Sequence, residues 1–247
     1  MAAIDLDEFV TTFDTTRATV EMFSPALHLE TADSVWDSGT VLWQAAITMT
    51  HLDSRMGDPD VVIGQAHFVM ARTGTDGLAQ ELLDREKFHK LRTDRFASLF
   101  DDHQIGTDLA HQFPEPVEVV MLALWIVIDP ALRGHRIGAW ALCQAIDTMI
   151  PTSAGLVLVH PHWDAEADEA PSVEQLEAVE RLNRYWKTAG LVPLEAAPQF
   201  LGQHTSSLTL ETALHDNRQR FFGDDDHLVE VSLDAIRQRI RDGGDFV

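Results

Sequence analysis

Residues 119–150 read "VVMLALWIVIDPALRGHRIGAWALCQAIDTMI", and this stretch decides the fold class of the chain. It opens with a long apolar run, and Pro130 ends that run. A strand that is apolar throughout is buried on both faces, so residues 117–128 are predicted to form a central strand of a sheet. The residues from about Gly134 to Ile150 are predicted to form the helix that follows.

A second short apolar run, residues 155–160, comes after this helix. A strand, a helix and a strand in this order form a right-handed unit with parallel strands. Upstream, strands are predicted at residues 25–35, 39–53 and 60–73. The links between them are too short for a parallel crossover, so they are expected to pair in an antiparallel meander. The predicted class is a mixed α/β fold with a mixed sheet.

The spacing of apolar residues predicts a helix over 78–100 and a loop over 101–116. A further helix is predicted to begin at Ser172, because Gln175 three residues later completes a capping-box spacing, and Gly190 is predicted to close it.

The segments "LVPLE" and "TSSLTLE" are interpreted as two late strands, and "SLDAIRQRIRDGG" as a short terminal helix. With no internal repeat or linker in view, residues 1–247 are interpreted as one mixed α/β domain.

Composition sets broad limits on location and chemistry. The 247 residues are 45% apolar and 23% charged, as in ordinary globular proteins. The first residues lack a secretory signal, and the longest apolar run is about half a membrane span, which makes the cytoplasm the expected location. Cys143 is the single cysteine, so an intramolecular disulfide framework and a multi-cysteine zinc site are excluded.

The chain is strongly acidic, with a formal net charge of −22. Such a field repels nucleic-acid phosphate and anionic membranes, so neither is an expected partner. It weakly favours a cationic substrate. A demand for solubility, or a compositional habit of the source, accounts for the charge equally well.

The junction "RGHRIGA", residues 133–139, concentrates positive charge in this acidic chain. A helix N-terminus presents free N–H groups, and glycine lets an anion approach the backbone closely. The junction is therefore either a cradle for a pyrophosphate or a plain strand-to-helix turn with exposed basic residues. Neither the P-loop pattern nor the Rossmann fingerprint is present.

The segment "WIVIDPALRGHRIGAWAL" resembles the signature of the GNAT superfamily of acetyl-CoA-dependent N-acyltransferases. Arg133 matches the first position of the family's "[RQ]-x-x-G-x-[GA]" motif, Gly138 matches the last, and Arg136 stands at its first glycine. Downstream, "RLNRYWKTAGLVPL" resembles the family's later helix and its "Y-x-x-x-G-F" ending. The resemblance covers about residues 117–210, and a group of actinobacterial GNAT-like proteins with unassigned substrates is similar.

The resemblance implies a fold, a co-substrate and a reaction. Residues 1–116 would form the acceptor side, 117–210 the acetyl-CoA-binding core and 211–247 a C-terminal extension. The two parallel strands would splay to admit the thioester, and an amine of a small molecule or a protein would attack it directly. No metal is expected. The implied cofactor-binding residues are Val127, Ile128, Arg133, Gly134, His135, Arg136, Ile137, Gly138 and Ala139.

The sequence departs from the family pattern at three places in the two motifs. Trp186 stands where the family often has its general-acid tyrosine, and Tyr185, the only tyrosine of the chain, is one position earlier. The asparagine that is common early in this helix is missing. Arg136 replaces a glycine and is expected to fit a helical first turn with negative φ. The main early helix is also expected between the third strand and the central one, whereas family members place two helices after the first strand.

Three other groups are candidates with more than one interpretation. His160 is a candidate general base at the end of a parallel strand, where open sheets bind ligands, or a loop residue. The spacing of His160, His162 and Asp164 also fits a metal site, without a further ligand set. Glu118 is a candidate base or a solvated strand end.

Two functional hypotheses stay open. The chain is an N-acetyltransferase that acts on a primary amine, with Tyr185, His160 and Glu118 as catalytic candidates, or a GNAT-fold protein that binds acyl-CoA without catalysis. A chance motif on an unrelated fold is a third possibility. The sequence does not specify the acceptor, the acyl chain or the oligomeric state.

Overall fold

A computed structural model describes residues 3–12, 16–31, 39–84, 91–161, 172–223 and 227–243. The strands are β1 (Ala3–Asp5), β2 (Thr19–Thr31), β3 (Thr40–His51), β4 (Asp60–Arg72), β5 (Phe100–Asp101), β6 (Gln104–Ile105), β7 (Val119–Ile128), β8 (Gly155–Val159), β9 (Val192–Pro193), β10 (Leu201–His204) and β11 (Val229–Ser232). The helices are α1 (Leu6–Thr12), α2 (Leu78–Leu82), α3 (Asp94–Ala97), α4 (Thr107–Ala110), α5 (Ile137–Met149), α6 (Val173–Lys187), α7 (Leu208–Phe222) and α8 (Leu233–Arg241).

One mixed sheet runs through the described residues in the order β11-β2-β3-β4-β7-β8-β10-β9, and β1 pairs with the start of β4. β7 is paired on both sides, antiparallel with β4 and parallel with β8. The predicted central strand is confirmed, and so are the mixed sheet and the strand–helix–strand unit of β7, α5 and β8. The antiparallel meander of β2, β3 and β4 is confirmed as well.

Two predicted helix boundaries follow from capping chemistry and are also confirmed. Ser172 caps α6, because its side chain accepts from the Gln175 N–H while the Gln175 side chain accepts from the Ser172 N–H. The terminal helix α8 begins at Leu233 after Ser232, whose side chain accepts from the Ala235 N–H. Each cap satisfies donors that the first helical turn leaves free.

The predicted single helix over 78–100 is wrong, because the chain reverses within it. The Thr93 hydroxyl donates to the Leu82 carbonyl at 2.7 Å and closes the end of α2, while Arg92 has a φ of +57°. Leu82 on α2 and Phe96 on α3 are buried, whereas Leu83 is 46% exposed, and Phe88 lies outside the described residues. The predicted loop over 101–116 contains the last residue of β5, all of β6 and the helix α4.

The predicted strand at "TSSLTLE" is also wrong, because these residues begin α7. Leu208 is 77% exposed, whereas Leu210 is fully buried and starts a helical stripe that continues to Phe221. The helical spacing of the buried residues over the whole of α7 is a stronger indicator than the alternation of apolar and polar residues over its first few positions. The strand that pairs with β8 in this region is β10 instead.

Each face of the sheet carries its own apolar cluster. α1, α5, α6, α7 and α8 pack on one face, and α2, α3, α4 and the β5–β6 hairpin pack on one end of the other. The face that holds α5 and α6 therefore brings the junction after β7 next to the C-terminal half of α6. Among the described residues, no helix has the length and apolarity needed to cross a bilayer.

Candidate functional site

β7 and β8 pair over only the first half of β7. Their ladder ends at Ala123 and Val159, where β8 itself ends. Among the described residues, the edge of β7 that faces β8 has no strand partner from Leu124 to Ile128. Such an edge presents backbone N–H and C=O groups to which an extended ligand can add as a further strand.

A β-bulge marks the place where the two strands part. On β4, His67 pairs with Trp125 and Phe68 pairs with Ala123, so Leu124 is an extra residue on β7. A bulge bends its strand and increases the local twist. We attribute the separation of β7 from β8 to this bend.

The separated strands form the wall of a cavity of about 630 Å³, a size that suits a small-molecule ligand. The described lining is mostly apolar, holds three arginines and contains no carboxylate. The lining residues are 123–128, 132–134, 136–138, 159–161, Ala178, Arg181, Leu182, Tyr185 and Trp186. The chain has 40 acidic and 18 basic residues, and a described lining with arginines and no carboxylate is suited to an anion.

A buried carboxylate fixes the loop that leads from β7 to α5. Asp129 is fully buried, and its Oδ1 accepts from the Ala131 N–H at 2.8 Å. Its Oδ2 pairs with Arg239 of α8, which also pairs with Asp7 of α1. Both terminal helices therefore hold the start of the loop, a connection for which sequence spacing gives no signal.

Residues 133–136 turn the chain from this loop into α5. The Arg133 Nε donates to the Ile128 carbonyl at 3.1 Å and ties the turn to the end of β7. Gly134 has a φ of +90°, a conformation that favours glycine. The His135 ring lies 6.4 Å from the ring of His227, between centroids.

Arg136 corrects two expectations about this turn. It has a φ of +63° and precedes α5, which begins at Ile137 and not at about Gly134. The expected negative φ at Arg136 is therefore wrong. The left-handed conformation costs a residue with a Cβ about 1 kcal/mol or more, and glycine adopts it freely. The arginine side chain lines the cavity, so this backbone cost falls at the site itself.

The first turn of α5 has donors that the described residues do not use. No acceptor among them takes up the N–H groups of His135, Arg136 or Ile137, and α5 has no side-chain cap. Ile137 is only 1% exposed. Because a helix N-terminus carries partial positive charge, these groups are suited to bind an anion.

Tyr185 of α6 reaches this same helix start. Its Oη accepts from the Ala139 N–H at 2.8 Å, and a Cβ at Gly138 would lie 2.9 Å from that oxygen. Burial raises the pKa of Tyr185, and the hydrogen bond from Ala139 partly opposes the shift. Trp186, 8% exposed, packs in the core with its ring centroid 5.0 Å from that of Tyr185. The Ala139 N–H that sequence analysis assigned to a ligand is held by Tyr185.

His160 lies at the inner end of the cavity, directly after β8. Its ring packs 4.7 Å from Phe200 and 6.4 Å from Phe96, between centroids. It directly follows Val159, the last residue of β8 that pairs with β7. His162 and Asp164, the other members of the candidate metal set, lie outside the described residues. The described residues contain no group of three or more His, Cys, Asp or Glu side chains able to hold a metal ion.

Glu118 lies apart from these residues. It is exposed just before the start of β7, and its carbonyl accepts from the Thr73 N–H at 3.0 Å. The ten residues of β7 place it about 30 Å from the junction, at roughly 3.3 Å per residue, and it does not line the cavity. The structure thus brings together His160, Tyr185 and the junction, but not Glu118.

Arg181 and Leu182 are lining residues that sequence analysis did not assign to the site. Arg181 precedes Tyr185 by four residues, and residues four apart lie on the same face of a helix. This four-residue spacing is the feature of the sequence that could have assigned Arg181 to the site.

The chain matches no protein-family model, no curated protein and no solved structure. The function of the site is therefore argued from its geometry and chemistry.

Proposed function

We propose that the chain is an N-acetyltransferase of the GNAT type, which transfers an acyl group from acetyl-CoA to a primary amine. The observation that carries the proposal is the order of groups along one cavity. The unpaired edge of β7 adjoins a helix start with unused donors and three arginines. Acetyl-CoA has the matching order, since an extended, amide-bearing arm leads from its thioester to a pyrophosphate.

Strand geometry supports this placement. The unpaired edge from Leu124 to Ile128 is about 16 Å long, at roughly 3.3 Å per residue, a length comparable to an extended pantetheine arm. The arm would pair with the backbone near Val127 and Ile128. The pyrophosphate would then meet the N–H groups of residues 135–137 and the guanidinium groups of Arg133 and Arg136.

The reaction would take place at the inner end, next to Leu124 and His160. A deprotonated amine attacks the thioester carbonyl carbon, the tetrahedral intermediate collapses, and the CoA thiolate leaves and takes up a proton. The site supplies proximity, and His160 accepts the proton that the amine loses. Glu118 has no part in this proposal because of its distance from the cavity.

The Tyr185 hydroxyl and a bound phosphate would compete for the Ala139 N–H. Its hydroxyl holds the Ala139 N–H in the structure, and a phosphate at the start of α5 would take the same N–H. Ligand binding would then release the hydroxyl at the pyrophosphate end of the cavity. The thioester would lie at the inner end, about 16 Å away along the edge of β7, so Tyr185 would be a positioning residue for the start of α5.

We also propose that the fold is of the GNAT type. Antiparallel strands before a central strand–helix–strand unit are the arrangement that the GNAT resemblance implied. Residues 211–247 would be an extension that packs against the core.

Calorimetric titration with acetyl-CoA is the first test, and binding below millimolar concentration is expected. Release of free CoA thiol in the presence of a panel of small amines and lysine peptides is the second. Failure to bind at millimolar acetyl-CoA contradicts the proposal.

A second candidate function is a GNAT-fold protein that binds acyl-CoA without catalysis. It is favoured by one observation: Trp186, at the position of the usual tyrosine, is buried in the core, while the Tyr185 hydroxyl is held by Ala139. Tight binding of acetyl-CoA without amine-dependent thiol release in any member of the panel would select this function over the first.

A further inference from the structure

A second cavity, of about 720 Å³, adjoins the first, and Arg136 lines both. It lies between the end of α6 and the helix α7. Besides Arg136, the polar groups that line it include Lys187, Thr209, Thr212, Asp216 and Arg220. α7 lies almost wholly beyond residue 210, where the GNAT resemblance ends, so the resemblance does not account for Arg220.

The charge of this second cavity is the reverse of the charge of the chain. Three cations and one carboxylate line its described wall, although the chain has 40 acidic and 18 basic residues. In the part of the chain that the structure describes, no ion pair involves Arg136, Lys187 or Arg220. Unpaired cations that converge from three elements produce a local positive potential suited to a multiply charged anion.

The pKa of His227, near the second cavity, is lowered by burial and by neighbouring positive charges. Burial lowers the pKa of His227, and the positive charges of Arg220 and His135 lower it further. This part of the molecule therefore disfavours one more cation and favours an anion.

We propose that the second cavity binds the nucleotide end of CoA, and that Lys187 and Arg220 bind its 3′-phosphate. This inference rests on the proposed function, because Arg136 would stand between the pyrophosphate in the first cavity and the nucleotide in the second. A phosphate monoester carries close to two negative charges at neutral pH, which two cations can match, and the hydroxyls of Thr209 and Thr212 can donate to the same group. The chain would thus discriminate between CoA and 3′-dephospho-CoA.

The test compares the dissociation constants of CoA and 3′-dephospho-CoA by calorimetry. We expect the chain to bind CoA about ten-fold more tightly or better, since a hydrogen bond to a charged group contributes on the order of 1.5–3 kcal/mol and about 1.4 kcal/mol is a factor of ten. Arg220→Ala should reduce this preference to about three-fold or less and leave the affinity for 3′-dephospho-CoA within two-fold. Lys187→Ala should do the same. Equal affinities of the unaltered chain for the two ligands would overturn the inference.

Arg218→Ala is the matched control, because Arg218 is also exposed on α7 but lines neither of these two cavities. It should change neither affinity by more than two-fold. An equal loss of both affinities in Arg220→Ala, or the same loss of preference in Arg218→Ala, would overturn the inference, since neither assigns the 3′-phosphate to Arg220. Thermal melting checks that the variants fold.

A third ligand, adenosine 3′,5′-bisphosphate, separates this inference from the proposed function. CoA binding without a preference for the 3′-phosphate leaves the proposed function intact and refutes the inference. If the bisphosphate alone binds, and does so through Arg220 and Lys187, the anion site stands and the acyltransferase proposal fails. If none of the three ligands binds, both fail.

Discussion

The helices α5 and α6 line the same cavity but begin in opposite ways. At α6, Ser172 accepts from the Gln175 N–H at 3.3 Å, and the Gln175 Oε1 accepts from the Ser172 N–H at 2.7 Å. At α5, the residue before the helix is a left-handed Arg136 with no side-chain cap. The N–H groups at the start of α6 are satisfied by its own capping residues. Among the described residues, no side chain caps the start of α5.

Solvent exposure explains why this difference matters. Ser172 is exposed, so water could serve the donors of α6 if its cap were lost. Ile137, at the start of α5, is 1% exposed, and buried donors in native proteins are nearly always paired. Tyr185 pairs with one of them, the Ala139 N–H. No acceptor among the described residues takes up the Ile137 N–H, and this is the basis for proposing a ligand at the start of α5.

The largest expected effect comes from a carboxylate at the start of α5. Gly138→Asp should weaken acetyl-CoA binding by about 100-fold or more, because like charges repel strongly in a partly buried site and because a Cβ here would lie 2.9 Å from the Tyr185 Oη. Calorimetry measures the loss. Ser172→Asp makes the corresponding change at α6, where aspartate is itself a good cap, and should leave the affinity within two-fold.

Gly138→Ala separates charge from crowding, because it adds the Cβ without the carboxylate. It should weaken binding far less than Gly138→Asp. An affinity of Gly138→Asp equal to that of the unaltered chain would contradict the ligand-binding role of this helix start.

The next largest effect on acetyl-CoA binding is expected from a substitution that also removes the backbone strain at Arg136. Arg136→Gly should weaken acetyl-CoA binding by about ten-fold, because a cation at the pyrophosphate is lost. It should also stabilise the free protein by about 1 kcal/mol, since glycine adopts a φ of +63° without the cost of a Cβ. A chain of this length would then melt about 2–4 °C higher. Lower stability together with unchanged affinity would mean that Arg136 serves the fold and not the ligand.

Much of the fold could be predicted from sequence, because its central elements have one dominant pattern each. The apolar run before Pro130 gave the central strand, and the capping box at Ser172 gave the start of α6. The prediction failed where a short strand-like alternation overlapped a longer helical pattern. Residues 205–211 alternate like a strand, yet Leu210 belongs to a helical stripe that becomes visible only over the whole of α7.

The site could be predicted only in part, because its remaining features depend on contacts distant in sequence. The ion pair of Asp129 with Arg239 joins residues 110 positions apart. The bulge at Leu124 is defined by its register with β4 and has no signal of its own in the sequence. The φ of Arg136 was mispredicted because glycine, the residue that marks such a position, is absent there.

A smaller effect is expected where the protein itself satisfies a donor at the start of α5, the Ala139 N–H. Tyr185→Phe removes the acceptor of the Ala139 N–H and should cost about 1 kcal/mol of stability. It should leave acetyl-CoA binding as tight or tighter, because the ligand no longer competes with the hydroxyl. Amine-dependent thiol release should stay within about two-fold, because the thioester would lie at the other end of the cavity. Weaker binding in this variant would contradict the proposed competition.

The pH dependence of stability provides an independent check on Tyr185. Its raised pKa means that the native state holds this proton more tightly than the unfolded state, in which a tyrosine titrates at about pH 10. Its contribution is therefore complete below about pH 10 and is lost as the pH rises further. Chemical denaturation across this range should show a steeper loss in the unaltered chain than in Tyr185→Phe. Cys143, whose pKa burial raises to about 12, is present in both chains.

The smallest effect is expected at the helix that caps itself. Ser172→Ala removes the side-chain half of the capping box and should cost about 0.5–1 kcal/mol, measured by denaturant unfolding, because the cap is exposed and water replaces part of the lost bond. The affinity for acetyl-CoA should stay within two-fold, since Ser172 does not line the cavity. If Ser172→Ala instead weakened binding as much as Arg136→Gly, the two helix starts would be equivalent. The unused donors of α5 would then be no evidence of a ligand.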